Sequence, residues 1–182
     1  MTSLQNIIDG VIERERGFVD HPDDPGGATK YGITERNARL DGYEGDMRDL
    51  PRSRAHDIYY RKYVVAPGFD RLLEIMPRVC AEVVDSGVNA GPGRSARWLQ
   101  QGLNLLNRKG RDFADLVVDG DIGPKTRAAL AELKARRGAA AEELLVRTLD
   151  GLQFRHYAEI TERDPGFESF FVGWILHRIQ NA

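Results

Sequence analysis

Glu15, Asp20, Asp23, Asp24 and Thr29 lie close together in the chain and are of types that acid–base chemistry uses. A carboxyl group in an apolar setting holds its proton towards neutral pH, because desolvation disfavours the ionised form. Such a group can act as a general acid. A second carboxylate in a polar loop stays ionised, and can stabilise positive charge or activate water. The three aspartates all follow within nine positions of Glu15, so an acid and an ionised partner can come from one short stretch.

Local patterning says how these groups are held. Leu4, Ile7, Ile8, Val11 and Ile12 fall at i, i+3, i+4, i+7 and i+8, one face of an α-helix. Glu15 continues that stripe and is expected on the buried face, whereas Glu13 lies half a turn away in solvent. Gly17 supplies the helix stop. The alternative for Glu15 is an acid protruding from a frayed helix end, paired with Arg14 or Arg16. Pro22, Pro25, Gly26 and Gly27 force turns, and Asp24 is pushed towards extended geometry by the proline after it. Residues 28–33 read as a short strand or hairpin arm carrying Thr29, with Gly32 near its end. Thr34 suits the cap of the next helix, with Glu35 in its first turn.

A chain of 182 residues can build one sizeable core, or two small lobes sharing an interface. The single cysteine, Cys80, excludes an internal disulfide and reads as a small buried hydrophobe. His21, His56, His156 and His177 show no ligand spacing, so no metal or organic cofactor is expected. No apolar run approaches the ~20 residues that span a bilayer, and the N-terminus lacks the pattern of an export signal. Residues 1–90 hold 12 basic and 16 acidic side chains, net −4, and residues 91–182 hold 14 and 12, net +2. That mild asymmetry tolerates an anionic polymer but falls far short of a nucleic-acid-binding surface.

Beyond the hairpin the sequence reads as helical. A short helix covers 34–40, a loop 41–46, and Pro51 opens a helix through Ala55, Ile58, Tyr59 and Tyr63. Tyr59 and Tyr63, four apart, read as core more readily than as a sugar platform. Pro77 starts a strong helix carrying Val79, Val83 and Val84. Asp85 and Asn89 share one face of it, and can either bind sugar hydroxyls or brace neighbouring helices. Small residues nearby (Ser86, Gly87, Ala90) permit close packing or close approach of a ligand. A helix over 94–107 is followed by a turn-rich segment, Asp119-Gly120-Asp121-Ile122-Gly123-Pro124, that reads as a tight loop orienting two helices. It lacks the ligand set of a calcium loop. Helices follow over 124–136, 139–163 and 165–180. The last is so apolar (Phe167, Phe170, Phe171, Trp174, Ile175, Ile179) that it must be docked.

The run Glu15-Arg16-Gly17-Phe18-Val19-Asp20, followed by Asp24-Pro25-Gly26-Gly27-Ala28-Thr29-Lys30-Tyr31-Gly32-Ile33-Thr34, resembles the glycoside hydrolase family 108 lysozymes. These are phage-type N-acetylmuramidases, and Arg16 stands where that family commonly has glycine. Asp85-Ser86-Gly87-Val88-Asn89-Ala90-Gly91 resembles a corresponding family segment. Residues 119–126 resemble the Asp-Gly-x-x-Gly-Pro-x-Thr signature of helical peptidoglycan-binding repeats, and the closing Gly173-Trp174 resembles the end of the same region.

The resemblance implies an α+β, mostly helical, lysozyme-like fold with a small β-hairpin lobe. Residues 1–92 are expected to form the catalytic region and 93–182 a helical wall-binding region packed on it. It further implies an endolysin that hydrolyses the β-1,4 bond between N-acetylmuramic acid and N-acetylglucosamine. Glu15 is then the general acid, Asp24 the ionised partner and Thr29 the residue that positions water, with Asp20 and Asp23 as rivals to Asp24. Tyr31, Asp85 and Asn89 are the implied substrate contacts. Peptidoglycan is the expected partner, with no nucleic acid and no stable membrane insertion, and the protein is expected as a monomer. It would stay in the cytoplasm until a holin releases it to the periplasmic wall. Two alternatives remain open: a lytic transglycosylase, and a non-catalytic wall-binding protein on the same fold.

Overall fold

Helix α1, Leu4–Arg14, follows from its apolar stripe: Ile7, Ile8, Val11 and Ile12 are all buried while Glu13 is exposed. Burying such side chains contributes roughly 1.5–3 kcal/mol each, enough to hold a helix that would be marginal in isolation. The computed structural model describes residues 4–15, 17–19 and 27–179. Asp20, Asp23 and Asp24 lie outside the described residues.

Three two-residue strands follow, β1 (Phe18–Val19), β2 (Thr29–Lys30) and β3 (Ile33–Thr34), in one antiparallel sheet of order β1-β2-β3. Phe18 pairs with Lys30 and Val19 with Thr29, while Thr29 pairs in turn with Thr34 and Lys30 with Ile33. Residues 28–33 are therefore not one arm. The chain reverses at Tyr31 and Gly32, whose φ values of 53° and 71° give the doubly left-handed turn that matches strand twist. Thr34 then caps α2 (Glu35–Leu40), its Oγ1 accepting from the Asn37 N–H at 3.3 Å.

The regular structure that follows is helical. α3 (Arg52–Tyr60) takes Pro51 as its N-cap and runs into a π-helical turn, Arg61–Val65. α4 (Pro77–Ala90), α5 (Pro92–Leu106) and α6 (Pro124–Arg137) each begin on proline, whose fixed φ suits a first turn. α7 (Ala140–Arg163) and α8 (Glu168–Arg178) complete the order. α5 starts two residues before the expected position because Pro92 belongs to it, with only Gly91 separating it from α4.

α4 is the central element, packed on α1, α5 and α7. The small residues at its end serve that packing. A Cβ at Gly87 would lie 3.3 Å from the Phe69 ring and 3.5 Å from Pro92 Cα. The hydroxyls of Ser86 and Ser95 lie 2.9 Å apart, and Ser95 Oγ donates to the Val83 carbonyl at 2.6 Å. Both serines are buried, so these contacts satisfy groups that water cannot reach. α8 docks through Trp174, stacked on Tyr157 at 4.9 Å between ring centroids, and through Phe171 against Phe154. Phe170, beside Trp174, and Val172 and Leu176 remain exposed on this helix. No helix among the described residues is long and apolar enough to cross a membrane.

Candidate active site

Glu15 sits in the turn directly after α1. Its N–H donates to the Val11 carbonyl at 3.1 Å, so it stays in line with the buried stripe. It is half-buried rather than buried, and lies one residue past the end of the helix.

The hairpin turn supplies that cover. The point where a Cβ would stand on Gly32 is 3.1 Å from Glu15 Cβ and 2.4 Å from Tyr59 Oη. Glycine is required there twice over, by its positive φ and by this close approach. Tyr59 Oη donates to the Tyr31 carbonyl at 3.0 Å, and the Tyr31 N–H donates to the Gly17 carbonyl at 3.2 Å. The segment after α1, the hairpin turn and α3 are thus stitched together around Glu15. Tyr59 is buried and stacks on Tyr63 at 5.4 Å, as expected of a core residue. Its hydroxyl nevertheless belongs to the site, which the i, i+4 spacing gave no means of seeing.

Thr29 is half-buried on β2, and its hydroxyl reaches the Gly27 carbonyl only at 3.5 Å. Tyr31 is half-buried at the turn, with Lys30 Nζ 5.3 Å from its ring centroid. Asp24 lies outside the described residues. Asp85 and Asn89, four apart on α4, serve different neighbours. Asp85 is buried and ion-paired with Arg14, the residue before Glu15. Asn89 is exposed, and its Oδ1 accepts from Tyr157 Oη at 3.0 Å, which itself accepts from Gln153 Nε2 at 2.7 Å. Arg14–Asp85 therefore ties the end of α1 to α4, and Asn89 ties α4 to α7. Arg14 thereby reaches a residue 71 positions away in the chain.

Deeper in, Glu82 is buried on α4, and its carboxyl is pushed up to about 8 by burial and by Asp150 nearby, with Arg14 opposing. Cys80 is likewise buried, its thiol pushed up to about 12 by burial and by Asp70. It donates to the Phe69 carbonyl at 3.3 Å and is no nucleophile at neutral pH. Among the described residues no group of three or more His, Cys, Asp or Glu side chains is placed to hold a metal ion.

In the second half, the loop before α6 is built around Gln100, which is buried on α5. Its Nε2 donates to Asp119 Oδ1 at 2.8 Å and to the Asp121 carbonyl at 3.0 Å, and its Oε1 accepts from the Gly120 N–H at 2.8 Å. The Asp121 N–H and Gln100 hold the Asp119 carboxyl below the usual carboxylate range. These partners account for the turn signature as a loop-closing device.

Comparison with known proteins agrees with this arrangement. The family described as glycosyl hydrolase 108 matches residues 8–91, and the family described as a predicted peptidoglycan domain matches residues 94–179. SagA of Brucella abortus, a solved structure, is similar at 27% sequence identity and a TM-score of 0.62, over 92% of this chain and 84% of that one. No curated protein matches the chain. The two families between them account for nearly its whole length, from α1 to α8, with the Glu15 site inside the first. Residues 8–91 are therefore a glycosyl hydrolase 108 domain and residues 94–179 a peptidoglycan domain, and together they make a lysozyme-like, peptidoglycan-degrading protein.

Proposed function

We propose that the chain hydrolyses the β-1,4 bond between N-acetylmuramic acid and N-acetylglucosamine, with Glu15 giving its proton to the glycosidic oxygen. The observation that carries this reading is the position of Glu15 just past the end of α1, half-buried, with its stem against Gly32. A general acid must be held rigidly yet meet both substrate and solvent, and this position supports both. Asp24 is assigned the ionised partner and Thr29 the positioning of water. Inversion is then the expected outcome, with the two carboxyl groups ~6.5–9.5 Å apart to admit that water. Tyr31 at the turn and Asn89 at the exposed end of α4 are assigned to the sugars. Asp85 acts through Arg14.

Residues 1–92 carry out the chemistry in this reading, and 93–182 hold the wall polymer. The setting we assign is that of an endolysin, a monomer kept in the cytoplasm until a holin admits it to the periplasm.

Digestion of purified Gram-negative peptidoglycan, with products read by mass spectrometry, tests the reading. The wild type should release reducing N-acetylmuramic acid ends, and Glu15→Gln should release none. Anhydro ends would instead assign a lytic transglycosylase. Binding to sacculi without cleavage would leave a wall-binding module.

A further inference from the structure

A cavity of about 280 Å³ opens between α1, α4 and α7, lined among others by Gly10, Arg14, Arg78, Glu82, Asp85 and Val146. Its charges alternate. Arg78, Glu82 and Asp85 occupy successive turns of one face of α4, and Arg14 faces them from α1. Gly10 leaves the α1 wall open, and Arg14 Nη1 lies 3.8 Å from the point where a side chain there would begin. The volume suits one amino-acid residue and is small beside the ~300–1,000 Å³ pockets of drug-sized ligands.

Arg14 pairs with Asp85, and Arg78 with Glu143 at 2.8 Å, yet both arginine side chains remain substantially exposed. A guanidinium carries five N–H donors, so the Glu143 pair does not saturate Arg78. Glu82 is different. It is only 2% exposed, and its Oε1 has no hydrogen-bond partner among the described residues. A buried carboxyl oxygen without a donor is costly. An ammonium group entering the cavity supplies the donor and favours the ionised Glu82 carboxylate as its counter-charge, releasing the proton that burial holds there, and a carboxylate on the same molecule suits the arginines. An anion alone would meet Glu82 and Asp85, and a neutral sugar would bring no charge to set against either the acids or the arginines.

We propose that this cavity binds a zwitterionic amino-acid centre, ammonium to Glu82 and Asp85 and carboxylate to Arg78 and Arg14, in the peptide that peptidoglycan carries on its muramic acid. The identity of the polymer rests on the muramidase reading above. Arg14 directly precedes Glu15, so the cavity begins one residue from the proposed acid. The peptide hangs from the sugar whose bond that acid would protonate. The cavity is thus a specificity site that favours glycan strands still bearing their peptides.

Calorimetry on the full chain tests this without any cleavage. The probe is the tripeptide L-alanyl-γ-D-glutamyl-meso-diaminopimelate, whose last residue ends in an ammonium and a carboxylate. Two capped forms accompany it, one acetylated on the distal amine and one amidated on the distal carboxylate. The uncapped peptide should bind, and either cap should weaken binding tenfold or more, as should Arg78→Ala on the protein surface. No binding by the wild type, or equal binding of capped and uncapped peptides, would overturn the proposal. A chain that binds the peptide but releases no reducing ends would leave this site standing and remove the muramidase reading. Cleavage with no peptide binding would do the reverse.

Discussion

At the scale of single residues, the site depends on an absence, the missing side chain of Gly32. Any Cβ there meets Tyr59 Oη at 2.4 Å while adopting a φ of 71°. A non-glycine residue in that region costs about 1–3 kcal/mol before any clash is counted. Gly32→Ala should therefore destabilise the fold by at least that amount and push Glu15 or Tyr59 out of place. Wall digestion should drop tenfold or more. Tyr59→Phe alone loses the bond to the Tyr31 carbonyl, worth about 1 kcal/mol. Because the phenolic oxygen is the obstructing atom, the double variant should cost less than the two singles summed. Denaturant unfolding of the four proteins measures this coupling, and strict additivity would show that the contact does not constrain the site.

At the scale of elements, the loop before α6 behaves as a clasp rather than a ligand surface. Gln100 holds it by bonds to Asp119, Gly120 and Asp121 from inside the core. Gln100→Ala leaves several of these groups unpaired, at about 1–3 kcal/mol for each that stays buried. A loss of roughly 2–4 kcal/mol is expected in urea unfolding. Below the new melting temperature, sedimentation with sacculi should show binding unchanged. Binding lost from a folded variant would mean that the loop itself touches the wall. α1 shows the converse relation between element and function. Its four buried aliphatics hold the helix against α3 and α4, and the acid is carried just past its C-terminal end.

At the scale of the whole molecule, α4 and α7 join the two family segments, and their interface contains Glu82 and Asp150, both buried. The folded-state pKa of Glu82 is raised from 4.5 to about 8, first by burial and then by Asp150. A raised pKa means that the folded chain keeps a proton which the unfolded chain gives up. This contribution is fully present below about pH 4.5 and is lost as pH rises towards 8. Glu82→Gln removes the titration while keeping the shape. Thermal melts of the wild type should decline between about pH 5 and 8 relative to the variant. The accumulated difference should reach a few kcal/mol. Parallel melting curves across that window would show that Glu82 titrates normally. Asp112, Asp119 and Glu143 have lowered pKa values, so their contributions are lost instead as pH falls. They are common to both proteins and cancel in the comparison.

The local elements were legible in the sequence for a local reason. The α1 stripe, the Thr34 cap and the proline starts of α4 and α6 depend on residues within one or two turns of each other, and helix periodicity and capping act over that range. The family motif from Glu15 to Thr34 was legible too, because its residues are contiguous. The hairpin reversal at Tyr31 was missed because a non-glycine residue carries one of its two positive φ values. Asp85 and Asn89 were correctly placed on one helix face, but their partners, Arg14 and Tyr157, are 71 and 68 positions distant. Tyr59 against Gly32, Gln100 inside its loop and Glu82 over the α1–α4–α7 cavity likewise join residues far apart in the chain. The sequence by itself determined the helices, the cap and the acid that follows α1. Tertiary packing decided which side chains surround that acid and which charges are buried, because only packing brings distant segments together and removes them from water.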